Sequence, residues 1–312
     1  MLGKTANGLF WMYRYLERAE NTARLIETGQ RIALTRTGAG DGEWRSVLQT
    51  AGVSSSYDAG HGSLTKDQAI DWMLRSKDNP SSVLSSLEAA RQNARMVRTA
   101  LTHDVWEATN GTWMWARDLL SRKVAERDLP KVLHGVRERA ALVRGATDGT
   151  MLRNDIYDFL RLGTFLERAD NTARILDVKY YVLLPSVAAV GSSIDNVQWE
   201  TILLSVSARG GFRMEYGSNA TPRDIAQFLI LDRRMPRSLR FCIGKMCDNL
   251  GYLVTSYGSR PPSHDRIDDL RACLEVDIET IFDSGLHEFI QKLLRRLGDL
   301  GRQIEIDYRF TE

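Results

Sequence analysis

The chain has 312 residues, 43% hydrophobic and 26% charged, an ordinary globular balance that excludes wholesale disorder. Its net charge is +2, and neither half carries the basic excess that nucleic acid or an anionic membrane would attract. Three cysteines (Cys242, Cys247, Cys273) with no C-x-x-C pair argue against a disulfide scaffold or a Cys-built zinc site. Together with charges close to the start of the chain and no signal-peptide core, they lead to the expectation of a cytoplasmic protein. Only 7 prolines occur, so long helices are permitted.

Taken in order, the chain reads as helix nearly throughout. Apolar residues Leu9, Met12, Leu16, Ala19, Ala23 and Ile26 recur at three-to-four spacing and predict a helix over 8–34. Gly38–Gly42 breaks it, a short helix is expected from Glu43 to Thr50, and the Ser/Gly-rich stretch from Gly52 to Gly62 reads as a surface loop. Thr65 with Gln68 has the form of a capping box. Asn79 and Pro80 suit the cap and first turn of a helix running to about Thr102. Helices over 105–128 and 129–146 follow. The second half predicts helices near 150–184, 195–208, 223–231, 236–257, 263–282 and 284–307. The apolar stretch from Tyr180 to Val190 is too short to span a bilayer. With no pair of alternating strands, an all-α fold is expected and a sheet-based nucleotide fold is not.

One segment occurs twice. Tyr15-Leu-Glu-Arg-Ala-Glu-Asn-Thr-Ala-Arg24 returns as Phe165-Leu-Glu-Arg-Ala-Asp-Asn-Thr-Ala-Arg174 at an offset of 150, with eight of ten positions identical. Trp44, Val47 and Leu48 match Trp199, Ile202 and Leu203 at an offset of 155. Thr65 matches Thr221, and Asn79-Pro80 matches Met235-Pro236, both at an offset of 156. Four blocks in one order imply a tandem duplication of a helical unit, with repeats at 1–148 and 149–312 forming one bundle about a pseudo-two-fold.

On a helix, Glu17, Asn21 and Arg24 form one polar stripe bordered by Glu20; Glu167, Asn171 and Arg174, bordered by Asp170, repeat it. Small Ala19, Ala23, Ala169 and Ala173 beside these stripes permit close helix approach. Arg18 and Arg168 point about 100° from the neighbouring Glu and so take different partners. About a dyad, Glu17 would lie near Arg168 or Arg174, and Glu167 near Arg18 or Arg24. Two readings follow: a closed Glu–Arg junction between repeats, or an open site whose Arg groups bind a carboxylate or phosphate while the Glu groups orient an amine or a metal. A two-metal carboxylate site fits less well, because no Glu-x-x-His pair occurs. The five His are scattered; Cys242 and Cys247 read as small core residues; and Trp106, Trp113 and Trp115 suggest a packed aromatic cluster.

The repeated Leu-Glu-Arg-Ala-(Glu/Asp)-Asn-Thr-Ala-Arg segment resembles the signature of the alpha-E family (DUF403), bacterial helical proteins named for a Glu-Arg motif. The resemblance extends to Asp78–Ser82, Glu88–Arg95, Trp106–Asn110 and Pro236–Leu239. It implies an accessory protein working with a circularly permuted ATP-grasp-like amide ligase and a transglutaminase-like protein, in making or processing amide bonds of a peptide or small metabolite. ATP would then be bound only through the ligase, and the chain itself would need no cofactor beyond weakly held Mg²⁺. An enzyme using the paired Glu/Arg helices for amide or phosphoryl chemistry, and an oligomeric scaffold, are the alternatives. Asp232–Pro236 departs from the first half in lacking the Asn before Pro.

Overall fold

The three-to-four spacing of apolar residues along two long helices sets the architecture. The structure, a computed structural model, describes residues 1–35, 42–182, 193–217 and 221–311. The Gly38–Asp41 break and the stretch 183–190 lie outside them. The first half runs α1 (Gly3–Thr35), α2 (Gly42–Thr50), α3 (Ser54–Asp58), α4 (Lys66–Leu74), α5 (Val83–Met96), α6 (His103–Leu119) and α7 (Leu129–Thr150). The second runs α8 (Asp155–Val182), α9 (Ser193–Ser205), α10 (Arg209–Tyr216), α11 (Pro222–Leu231), α12 (Leu239–Tyr257), α13 (Ser263–Ala272), α14 (Ile278–Asp283) and α15 (Leu286–Asp307). No strand occurs among the described residues, so the fold is all-α.

The α1 stripe Leu9, Met12, Leu16, Ala19, Ala23 and Ile26 is buried throughout, as is Phe159, Leu162, Leu166, Ala169, Ala173 and Leu176 on α8. These two helices pack on each other at the centre. Around α1 lie α5, α7 and α9; around α8 lie α12, α15 and α2. One continuous apolar cluster joins residues of both halves. The approach of α1 to α8 is closest where α8 carries a glycine: a Cβ on Gly163 would stand 2.1 Å from the Phe10 carbonyl oxygen. A side chain at this position would force the two helices apart.

Helix starts follow side-chain chemistry. Thr65 accepts from the Gln68 backbone N–H at 3.3 Å while Gln68 accepts from the Thr65 N–H at 3.0 Å, a complete capping box. Thr221 and Asp224 build the same device on α11. Two predicted starts move. Asn79 does not cap; its buried amide donates to the Trp72 carbonyl at 3.0 Å and accepts from the Ser81 N–H. Ser82 caps α5 instead, leaving Pro80 in the preceding turn. Likewise Ser238 caps α12, so Pro236 precedes the helix. In that second turn Asp232 replaces the missing Asn, accepting from the N–H groups of Arg234 and Met235.

Other boundaries differ for equally local reasons. The predicted 105–128 helix ends at Leu119, with a separate 3-10 turn at Glu126–Asp128. The predicted 263–282 helix is two, because Asp277 caps a new start by accepting from the Thr280 N–H at 2.8 Å. The short helix α3 lies inside the expected 52–62 loop, and α10 is an element the periodicity missed. Trp106, Trp113 and Trp115 pack against the core from its margin, each under an arginine: Arg98 over Trp106, Arg91 and Arg117 over Trp113, Arg139 over Trp115. No helix among the described residues is long and apolar enough to cross a membrane.

The α1–α8 crossing yields a stability test. Gly163→Ala forces a methyl group into a backbone carbonyl and should cost at least about 1–3 kcal/mol in urea unfolding, the usual range for overpacking. Gly149→Ala, where the new Cβ meets nothing within 4 Å, should be neutral or stabilising.

Candidate functional site

The motif residues meet where α1 and α8 cross. Glu17, on α1, receives two parallel hydrogen bonds from Arg168 of α8, at 2.8 and 3.0 Å. Glu167, on α8, receives two from Arg18 of α1, at 2.5 and 2.9 Å, and a third from Arg14 at 2.9 Å. The arginine beside each glutamate in sequence thus serves the glutamate of the other helix. This follows from the roughly 100° turn between successive helical residues. An aromatic ring supports each fork: Arg18 lies 5.4 Å over Tyr15, and Arg168 lies 5.4 Å over Phe165. The Tyr-to-Phe difference between the two motif copies therefore keeps the feature that the arginine uses.

The first copy draws further cations. Arg237, in the turn before α12, reaches Glu17 and Asn21 at 3.1 Å and Glu20 at 2.9 Å. Arg144 of α7 binds Glu20, as does Arg24 one turn along α1, at 2.6 Å. The turn carrying Arg237 is itself held by α8, since Thr172 donates to the Arg237 carbonyl at 2.9 Å and Arg168 to the Pro236 carbonyl at 3.4 Å. Glu17 is 2% exposed and Glu20 0%. In the second copy, Asp170 is bound by Arg174 at 2.7 Å, and both are partly exposed. Asn171 is buried beside them.

Electrostatics follow from this geometry. Burial alone would raise the Glu17 carboxyl, but Arg168 and Arg237 overcome it and hold the group well below the usual carboxylate range. For Glu20, burial and neighbouring Glu17 push upward, and Arg237, Arg144 and Arg24 outweigh them. Glu167 sits at about 2 because Arg18 and Arg14 prevail over burial. Burial draws Arg237 down to about 10, so it stays charged at neutral pH. Carboxylates so acidic and so fully bonded are poor general bases near neutrality. Their oxygens face guanidinium groups, a poor setting for a divalent cation.

The whole chain carries the pattern these residues define. Residues 1–308 match Alpha-E, described as a predicted alpha-helical domain with a conserved ER motif. The chain belongs to the Alpha-E family. The chain is also similar to uncharacterized proteins of Mycobacterium bovis and Mycobacterium tuberculosis, each 23% identical over 313 residues that cover 93% of this chain. The chain spans about a third of the length of these curated relatives, 35% in each case. No solved structure matches it.

Within this Alpha-E chain, the ten motif residues named from sequence gather at one helix crossing, but they are not all in one network. Glu17, Glu20, Asn21, Arg24 and Arg168 share one cluster; Arg18 and Glu167 share another; Asp170 and Arg174 pair beside it. Sequence reasoning missed Arg14, Arg144 and Arg237. Arg14 precedes Glu17 by three residues, and Arg237 directly follows the Met235-Pro236 pair that matches Asn79-Pro80. Arg144 carries no local signal, since its partner is 124 residues away.

Two tests address this network. Glu17→Gln removes the charge opposite Arg168 and Arg237 and should destabilise by about 3–5 kcal/mol in chemical unfolding, as expected for half of a buried pair. The acid dependence has a definite sign: Glu167 is lowered from 4.5 to about 2, so its contribution is full above pH 4.5 and is lost as pH falls toward 2. Thermal melts should show a falling Tm across that window, with a shallower fall in Glu167→Gln.

Proposed function

We propose that this chain is a non-catalytic helical module, built by duplication, that serves an ATP-grasp-type amide ligase and a transglutaminase-like companion by binding the ligase or its peptide substrate. The observation that carries the non-catalytic reading is the state of Glu17 and Glu20, which are buried and bonded to four arginines. The partner assignment comes from the family resemblance. The length of the relatives supports it: a unit spanning a third of a longer chain works beside other domains.

Helix packing supports the duplication. The arrangement of α5, α7 and α9 about α1 parallels that of α12, α15 and α2 about α8. Buried positions of α7 and α15 correspond at an offset of 157: Leu129 with Leu286, Leu133 with Ile290, Val136 with Leu293, Ala140 with Leu297, and Val143 with Leu300. In this reading the reciprocal Glu–Arg forks lock the two repeats together, and the outer helices present surfaces to partners in the cytoplasm.

The purified chain should form a stable complex with an ATP-grasp-like protein encoded beside it, measured by pull-down and sedimentation, and should release no ADP from ATP alone. ATP turnover by the isolated chain that Glu17→Gln abolishes would instead make it an enzyme. Failure to bind the intact ligase in both assays removes the partner assignment.

A further inference from the structure

The first motif copy is sealed, and the second is not. Arg24 donates through Nη1 to the Ser207 hydroxyl, with Ser207 held at φ +53°. The residue 155 positions earlier is Gly52, with φ +70° and no hydroxyl to offer. Arg174 approaches it so closely that a Cβ there would lie 3.2 Å from Nη1. Among the described residues that Nη1 has no hydrogen-bond partner, while Nε and Nη2 serve Asp170.

Three arginines that close the first copy also have no counterpart. Arg144, which binds Glu20, corresponds to Gly301 at the offset of 157. Arg137, which binds Glu27 at 2.8 Å, corresponds to Leu294. Arg237 corresponds to Ser81 at the offset of 156. Of these positions Leu294 lines a cleft of about 760 Å³ between α8, α15 and the C-terminal end of α2.

Three arginines against two aspartates leave its lining with a net charge of +1, and two glutamines add amides. Arg174, Arg295 and Arg302 line it with Gln49 and Gln291. The acids there are already engaged: Asp177 by His287 at 2.5 Å and Gln291 at 2.7 Å, and Asp299 by Arg302 at 2.5 Å. Arg295 is exposed and makes no ion pair among the described residues. Guanidinium forks suit carboxylates, and glutamine amides offer both donors and acceptors to a peptide backbone.

We infer that this cleft binds an acidic peptide, placing carboxylates on Arg174, Arg295 and Arg302 and main-chain amides against Gln49 and Gln291. Arg295 and Arg302 are seven residues apart on α15, about 10 Å along the axis. In an extended peptide, side chains two or four residues apart share a face at roughly 6.6 or 13 Å, spacings that bracket this distance. The inference rests on the duplicated arrangement in the proposed reading, and it needs no ligase.

Tetraglutamate is the probe, titrated by calorimetry into the full chain without any partner protein, with tetraglutamine and tripolyphosphate as comparison ligands. Tetraglutamate should bind at about 1 mM or tighter, and at least about tenfold more tightly than either comparison ligand. Arg295→Glu/Arg302→Glu should weaken it at least about tenfold. Arg122→Glu/Arg127→Glu makes the same change in net charge at exposed sites elsewhere and should leave binding unaltered. No binding by the wild type, equal binding of tetraglutamine or tripolyphosphate, or equal loss in the Arg122/Arg127 variant overturns the inference. Because no ligase is present, these outcomes are independent of whether a ligase complex forms.

Discussion

Two carboxylate–guanidinium forks, exchanged between α1 and α8, are the interaction on which the arrangement depends. An ion pair taken out of water costs several kcal/mol per charge and recovers that cost only with good geometry and complete hydrogen bonding. Arg168 on Glu17 and Arg18 on Glu167 meet that condition by two-pronged contact. Lysine could not, since a point charge lacks the fork. A shift of one helix along the other by a single residue would separate both pairs at once. The forks therefore fix rotation and translation together, where apolar stripes alone would tolerate several packings.

The small residues around the forks complete that constraint. Ala19, Ala23, Ala169 and Ala173 are fully buried, and Gly163 brings α8 onto the α1 backbone. Close approach places the guanidinium groups within reach of carboxylates on the opposite helix. It also leaves little room for water to satisfy the charges, so each must find a protein partner. The additional arginines on Glu17 and Glu20 follow from this exclusion: a pair of like charges so near each other needs more than one counterion.

Much of this was legible in the sequence, for identifiable reasons. The period of the apolar residues located the long helices, and the repeat at an offset of 150 pointed to the crossing of the two motif helices. The Thr65 and Thr221 starts carry a local capping signature. By contrast, the starts at Val83 and Leu239 were misplaced because a nearby Asn or Pro imitates a helix start, while Ser82 and Ser238 supply the capping oxygen. The split at Asp277 depends on a cap inside an otherwise continuous pattern. Arg144 and Arg237 escaped because their partners lie far away in sequence, and a long-range ion pair leaves no periodic trace. Motif conservation between halves likewise concealed how different their surroundings are: Ser207 against Gly52, and Arg137 against Leu294.

The reach of Arg237 to Glu17, across 220 residues, bears on how the chain is made. Synthesis proceeds from the N-terminus at about 5–20 residues per second, so Glu17 and Glu20 emerge roughly ten seconds or more before Arg168 and Arg237. During that interval α1 has its apolar stripe but not the counterions that permit its polar one to be buried. Burial of the polar stripe of α1 thus waits for the second half of the chain, which carries Arg168 and Arg237. The motif occurs in each half of the sequence, while the ion pairs that bury it extend across both halves.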